Sequence, residues 1–212
     1  MALRLTETGR IEPMFVTSRA YLRAPRLNDW SAWAELRHAS RDFLVPWEPA
    51  WAPDALAHAS YRRRLRRLAK DESDDLGYAF FVFRRGDDAL LGGITLSNVQ
   101  RGAAQSATIG YWMGRHHAGQ GFTAEALGAL LDHACGPLGL HRLEAACMPE
   151  NVRSRRLLER CGFRQEGYAR QYLRINGVWN DHLLFALLAT DYPAASERLQ
   201  QWLRSGVARV GR

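Results

Sequence analysis

A chain of 212 residues suits one domain, and 47% hydrophobic content with seven Trp, seven Tyr and eight Phe is enough for a sizeable core. The formal charge of +7 is carried almost wholly by arginine, Lys70 being the only lysine, so an anionic cofactor, nucleic acid or a ribosomal surface are all compatible partners. No apolar run reaches the length of a membrane span, Met1 to Thr8 lacks the apolar stretch of a secretory signal, and Cys135, Cys147 and Cys161 have no metal-ligand spacing; reduced thiols in a cytoplasmic protein without a metal site are expected.

In chain order, a short strand is predicted from about Ser18 to Ala24, ended by Pro25. Asn28 or Asp29 is placed to cap a helix carrying Trp30, Trp33, Ala34 and Leu36. Pro46 and Pro49 punctuate the stretch Phe43 to Trp51 and exclude a regular helix there. Its tryptophans and Glu48 form either a binding lip or a plug over the core. Asp54 is placed to cap a second helix running to about Lys70, with Tyr61, Leu65 and Leu68 inward and the run Arg62-Arg63-Arg64-Leu65-Arg66-Arg67 leaving its arginines in solvent. An acidic break follows at Asp71 to Asp75. Tyr78 to Phe83 and Leu90 to Leu96 read as a hairpin about Arg85-Gly86-Asp87-Asp88.

Ala107, Ile109, Tyr111 and Met113 alternate with Thr108, Gly110 and Trp112, the period of a buried strand. Gly119 and Gly121 then allow a tight turn into a helix carrying Leu127, Leu130, Leu131 and Ala134, which Gly136-Pro137 stops. Free N–H groups at the positive end of that helix make a natural phosphate seat, although two glycines alone are a weak signal. Arg142 to Met148 is the next strand. Asn151 caps a short helix to Cys161, on which Ser154, Leu157, Leu158 and Cys161 share the inward face. A serine there either points into a site or bonds back to its own helix. Phe163 opens a further strand, Asn176-Gly177 signals a type I′ hairpin, and Val178 to Leu188 is the last strand, followed by a helix or tail from Asp191 to Leu203. The sum is one α+β domain with a mixed, mainly antiparallel sheet.

The pattern Asn151-x-x-Ser154-x-x-Leu157 ending in Gly162-Phe163 resembles the GNAT acetyltransferase superfamily, and Gly119 and Gly121 fall in register with its acetyl-CoA loop. His116 stands where that family prefers Gln or Arg, with Arg115 before it. The blocks Phe43 to Pro49, Leu96 to Gly102 and Glu166 to His182 are similar to the RimJ/RimL branch. The likeness runs from about residue 15 to 192. It leaves residues 1–14 as a lead-in and 193–212 as a C-terminal tail, read as helical. The resemblance implies a GNAT fold of about seven strands, helices on both faces and a splayed strand pair.

It also implies acetyl transfer from acetyl-CoA to the N-terminal alanine of a small-subunit ribosomal protein, without a metal. The cofactor residues it implies are Trp112, Met113, Arg115, His116, Gly119, Gln120, Gly121, Phe122, Thr123, Asn151 and Ser154. A main-chain N–H at Trp112 or Met113 would polarise the thioester carbonyl, Asn151 would bond the pantetheine arm, and Ser154 would be the proton donor. Among carboxylates, Glu48 is the candidate base, Glu125 the second, with Glu144 and Asp181 open to structural roles. Trp47, Tyr111 and Tyr172 are walls of the acceptor slot or core aromatics. An acetylated Cys147 is disfavoured because the family transfers directly. The competing readings are acetylation of a small amine, such as a polyamine or aminoglycoside, and a non-catalytic CoA-binding, ribosome-associated module. The chain is expected as monomer or homodimer, off the membrane, with ribosome association open.

Overall fold

The computed structural model describes residues 14–206; the expected lead-in up to residue 13 and the last residues of the tail, 207–212, lie outside the described residues. Eight strands form one open sheet: β1 (Phe15–Val16), β2 (Ala20–Arg23), β3 (Tyr78–Arg84), β4 (Leu90–Gln100), β5 (Ser106–Met113), β6 (Arg142–Cys147), β7 (Arg164–Ile175) and β8 (Val178–Leu188). Their order is β1-β2-β3-β4-β5-β6-β8-β7. Every neighbouring pair is antiparallel except β5 and β6. The helices are α1 (Trp30–Ala39), α2 (Arg41–Leu44), α3 (His58–Ser73), α4 (Phe122–Cys135), α5 (Val152–Arg160) and α6 (Tyr192–Gly206).

Alternation along β3 divides the interior into two cores. Phe80 and Val82 join Leu127, Leu130, Leu131, Leu158 and Leu199 on the face covered by α4, α5 and α6. Phe81 and Phe83 join Trp33 and Tyr61 beneath α1 and α3. Helices therefore cover both faces, as the GNAT resemblance implied, and the sheet has one strand more than expected. The extra strand is β1, two residues paired to Leu22 and Tyr21.

The β5–β6 pairing positions the site. It covers three residue pairs, Ser106–Arg142, Ala107–Leu143 and Thr108–Glu144, and then stops. Beyond that point β5 keeps pairing with β4 as far as Met113. Strand β6 keeps pairing with β8 as far as Cys147. The two strands diverge and leave a gap that opens toward Met113 on one side and Cys147 on the other. The type I′ hairpin is present, with φ of 44° at Asn176 and 84° at Gly177.

Three local expectations need correction. Asp29 holds the N-cap position of α1, but its side chain makes no capping bond. Its carboxylate instead takes the Arg23 guanidinium at 2.6 and 2.7 Å and the Arg26 N–H at 2.7 Å, closing the single 3-10 turn before the helix. Asp54 likewise leaves the N-terminus of α3 to Ala57 and accepts from Ser60 and Arg63. In an arginine-rich chain a nearby guanidinium outcompetes a backbone N–H for a carboxylate. The acidic break also begins later: α3 runs on to Ser73, helped by the Lys70–Asp74 pair, and ends where Asp75 adopts φ of 55°. Ser18 and Arg19 lie in a turn ahead of β2, and the Phe43–Trp51 stretch holds the end of α2 and one 3-10 turn, Val45–Trp47, before it becomes irregular.

Candidate active site

The loop after β5 is a 3-10 turn, Arg115–His117, followed by Gly119 and Gly121 at φ of 78° and 86°. Both glycines hold left-handed conformations that other residues adopt with strain. The N–H groups of residues 119–124 find no acceptor among the described residues. They lie at the N-terminus of α4, where the helix dipole adds positive potential. Gly119, Gln120, Gly121, Phe122 and Thr123 thus present unpaired backbone donors at the place where the sequence suggests an anion seat. Arg115 and His116 fit it differently. The Arg115 N–H is taken by Ser40 Oγ at 2.9 Å, and the His116 carbonyl accepts from Gln120 Nε2 at 2.7 Å. Both side chains are exposed and free to reach a ligand. Burial, then Arg84 and His116, hold His117 below the ordinary imidazole range, so it is neutral near pH 7.

Two residues that the sequence did not single out brace this loop. Ser40, fully buried between α1 and α2, pins Arg115. Arg19 donates from Nη2 to the Gln120 carbonyl at 2.9 Å and from Nε to Glu125 at 2.5 Å, with its guanidinium 4.5 Å from the Phe122 ring centroid. Glu125 is buried and also accepts from the Thr17 and Ser18 hydroxyls and the Arg19 N–H. These bonds make it the anchor of the loop. No local spacing could have shown this, since Arg19 and Glu125 are 106 residues apart.

Along β5, Gly114 N–H reaches Leu91 O on β4 at 2.8 Å. Backbone groups alternate sides along a strand, so Trp112 also faces β4 while the N–H groups of Tyr111 and Met113 face the gap. Between the two candidates for the polarising N–H, the geometry favours Met113. The Trp112 ring lies on the opposite face, packed on the core beneath α1 and α3. Gly114 is glycine because α1 presses on it: an added Cβ would sit 2.4 Å from Leu36 Cδ1. Gly114→Ala is expected to cost about 1–3 kcal/mol by overpacking, read as a lower midpoint in urea with unchanged slope.

Across the gap, Asn151 Oδ1 accepts the Ser154 N–H at 3.1 Å and caps α5. Its amide N–H₂ has no acceptor among the described residues. Ser154 Oγ and Tyr111 Oη hydrogen-bond at 2.8 Å, bridging α5 to β5, and the Cys147 thiol lies beside Ser154. Burial pushes the Tyr111 hydroxyl far above its usual range and raises the Cys147 thiol. Both stay protonated near neutral pH: Tyr111 as a donor, Cys147 as a poor nucleophile.

The loop with Trp47 and Glu48 spans the open end of the gap. The Glu48 carbonyl accepts from the Asn176 N–H at 2.9 Å, tying it to the β7–β8 hairpin. The Glu48 carboxylate pairs with both Arg37 nitrogens and takes Trp51 Nε1 at 2.8 Å. Arg37 stacks within 4.4 Å of the Trp51 ring centroid and 5.0 Å of the Trp112 centroid. This stretch is thus a lip, with Trp47 at 37% exposure. Tyr172 stands apart on the bulged part of β7, 48% exposed and edge-on to His182 at 5.8 Å. Glu144 pairs with Arg142, and Asp181 accepts from Tyr168 and the Gln171 N–H. Among the described residues no three His, Cys, Asp or Glu side chains gather into a metal-holding group. Nor is any helix there long and apolar enough to cross a membrane.

A splayed strand pair, a glycine loop at a helix N-terminus and a hydroxyl pair in the gap suit a thioester-bearing nucleotide. The sequence pattern of the Acetyltransferase (GNAT) domain matches residues 19–164. The chain belongs to the GNAT acetyltransferases. This GNAT enzyme is 39% identical to the Bacillus subtilis (strain 168) protein named "Probable N-acetyltransferase YjcK", over 81% of its own length and 94% of the relative's. It is 34% identical to the Escherichia coli (strain K12) [ribosomal protein uS5]-alanine N-acetyltransferase, over 78% and 87% of the two chains. Its fold matches the Mycobacterium smegmatis RimJ structure in complex with CoA-disulfide, with a TM-score of 0.81 at 36% identity, covering 88% of this GNAT chain and 89% of that one.

Proposed function

We propose that this GNAT enzyme transfers the acetyl group of acetyl-CoA to the N-terminal α-amine of a protein. The leading substrate class is the N-terminal alanine of a small-subunit ribosomal protein, and the working compartment is the cytoplasm. Support comes from the relative that acetylates the alanine of uS5 and from RimJ, whose structure contains CoA. The observation that carries the reading is the lip, where one carboxylate, Glu48, is already paired with Arg37. A slot for polyamines or aminoglycosides needs several unpaired acids to hold several cations, and this lip offers none. The non-catalytic reading is disfavoured by the Ser154–Tyr111 hydroxyl pair, which a mere binding module does not need.

In this reading the amides of residues 119–124 hold the pyrophosphate, with Arg115 and His116 at its edge, and the Asn151 amide bonds the pantetheine. The Met113 N–H polarises the thioester carbonyl as negative charge develops on its oxygen. The acceptor nitrogen attacks the carbonyl carbon, the C–S bond breaks, and Ser154, backed by Tyr111, gives the departing sulfur its proton. The nitrogen loses one proton to solvent, and Ser154 regains its own proton from solvent. An α-amine titrates near ~7.7–8.0, against ~10.4 for lysine, so at pH 7 roughly a tenth of it is already neutral and no strong base is required. Glu48, paired with Arg37 and bonded to Trp51, shapes the lip, with Trp47 as a wall; Tyr172 is an outer contact at most.

The deciding experiment is mass spectrometry of a peptide panel after incubation with acetyl-CoA. Alanine-starting peptides are expected to gain one acetyl group at the α-amine and none on lysine. Modification confined to lysine or to spermidine would overturn the reading.

A further inference from the structure

Beneath the lip, on the face covered by α1 and α3, lies an open pocket of about 400 Å³, lined by Trp33, Trp51, Arg37, Arg63, Arg64 and Arg67. That volume falls within the range of ligand sites. Its charge is unbalanced. Arg37 is neutralised by Glu48 and Arg63 by Asp54. Arg64 and Arg67 have no acidic partner among the described residues. Arg64 Nε is buried without a hydrogen-bond partner there. Burial and the neighbouring Arg37 and Arg67 weaken its hold on a proton. Folding has thus gathered cations that repel one another, with a desolvated guanidinium left unsatisfied. The arginines expected on a solvated face instead line a concavity. Guanidinium groups beside tryptophans fit planar oxyanions, which they bind through paired N–H donors.

We propose that this pocket binds an oxyanion group, and that the acetyl acceptor supplies it as a side-chain carboxylate downstream of its N-terminus. The placement argues for the acceptor. Arg37 and Trp51 line the pocket and also hold Glu48, and Arg37 stacks on Trp112, one residue before the Met113 N–H at the gap. An acceptor whose amine enters under the lip can therefore lay its following residues toward Arg64 and Arg67. The second half of the proposal rests on the α-amine acetyltransferase reading; the pocket itself does not.

Two measurements test it. Calorimetric titration with inorganic phosphate, at constant ionic strength, reads the pocket as the difference between the parent and the Arg64 and Arg67 variants, because the amides of residues 119–124 also offer a phosphate seat. Acetylation kinetics with alanine-starting peptides carrying Glu, or Gln, at successive downstream positions reads the acceptor. At one position the Glu peptide is expected to show about tenfold lower KM than its Gln twin, the size of one charge-assisted contact. The Arg67→Gln and Arg64→Gln variants should reduce that ratio below about twofold and weaken phosphate binding, with kcat on the Gln peptides unchanged. Arg67 is exposed, so its variant remains informative if Arg64→Gln fails to fold. Phosphate binding that depends on these arginines, with no peptide preference, supports the pocket and assigns it to a free phosphate group. If no peptide is acetylated yet phosphate binding still depends on Arg64 and Arg67, the functional reading fails and the pocket stands. Phosphate affinity and peptide preference both indifferent to Arg64 and Arg67 would overturn the proposal.

Discussion

Glu125→Ala should destabilise the enzyme by about 3–5 kcal/mol, the range for breaking a buried ion pair by removing one partner. The alanine would strand the Arg19 guanidinium, its N–H and the hydroxyls of Thr17 and Ser18 around an empty site. Arg19 is 27% exposed in this pair while Glu125 is almost wholly enclosed, so solvent compensates the arginine only in part. Because Arg19 also holds the Gln120 carbonyl, the damage should reach the glycine loop, and acetyl-CoA affinity should fall about tenfold in whatever fraction stays folded. Glu125→Gln keeps the shape and one acceptor oxygen, and should cost about 2 kcal/mol. Urea unfolding followed by tryptophan fluorescence measures both. If alanine and glutamine variants are as stable as the parent, the anchor role is wrong.

The second large effect is on catalysis. Ser154→Ala should lower kcat about 100-fold, the lower range for losing a positioned proton donor, and change acetyl-CoA affinity by less than about threefold. Its N–H still bonds Asn151, so the helix cap survives the substitution. Tyr111→Phe should have a smaller effect, and the double variant should be little worse than Ser154→Ala, because the two hydroxyls act as one relay. The sign of the pH dependence follows. A donor must be protonated to work, and burial has pushed the Tyr111 hydroxyl upward, so it is not lost as the pH rises. The rate should climb from about pH 6 to pH 8 as the α-amine loses its proton, with no falling limb up to about pH 9. An unchanged kcat in Ser154→Ala would remove it from the reaction.

The features readable in the sequence are those whose chemistry is local. Gly119, Gly121, Asn151 and Ser154 act through their own stretch of backbone, and their spacing points to a phosphate seat and a capped helix before any tertiary contact exists. The strand alternation around Tyr111 is of the same kind. What sequence reading missed is carried by side-chain contacts between segments far apart in the chain. Arg19 reaches Glu125, Ser40 reaches Arg115 across 75 residues, and Tyr111 meets Ser154 across 43. The expected caps at Asp29 and Asp54 failed because arginines claimed their carboxylates. The same competition gave Glu48 a partner in Arg37. The Arg62–Arg67 run reads as a solvated stripe on a helical wheel, and only the packing of α1 and the Trp51 segment against it makes a pocket.

The short β5–β6 pairing has a wider consequence. Two strand edges facing each other without hydrogen bonds are sticky, and on the outside of a protein they recruit other chains. Here they are roofed by helices and bridged at the mouth by the Trp47–Glu48 segment. Only something slender, flexible and able to offer its own amides can slide between them and complete the interrupted ladder. In the function proposed above the pantetheine arm takes that place, much as a missing strand would, through the amides along its length.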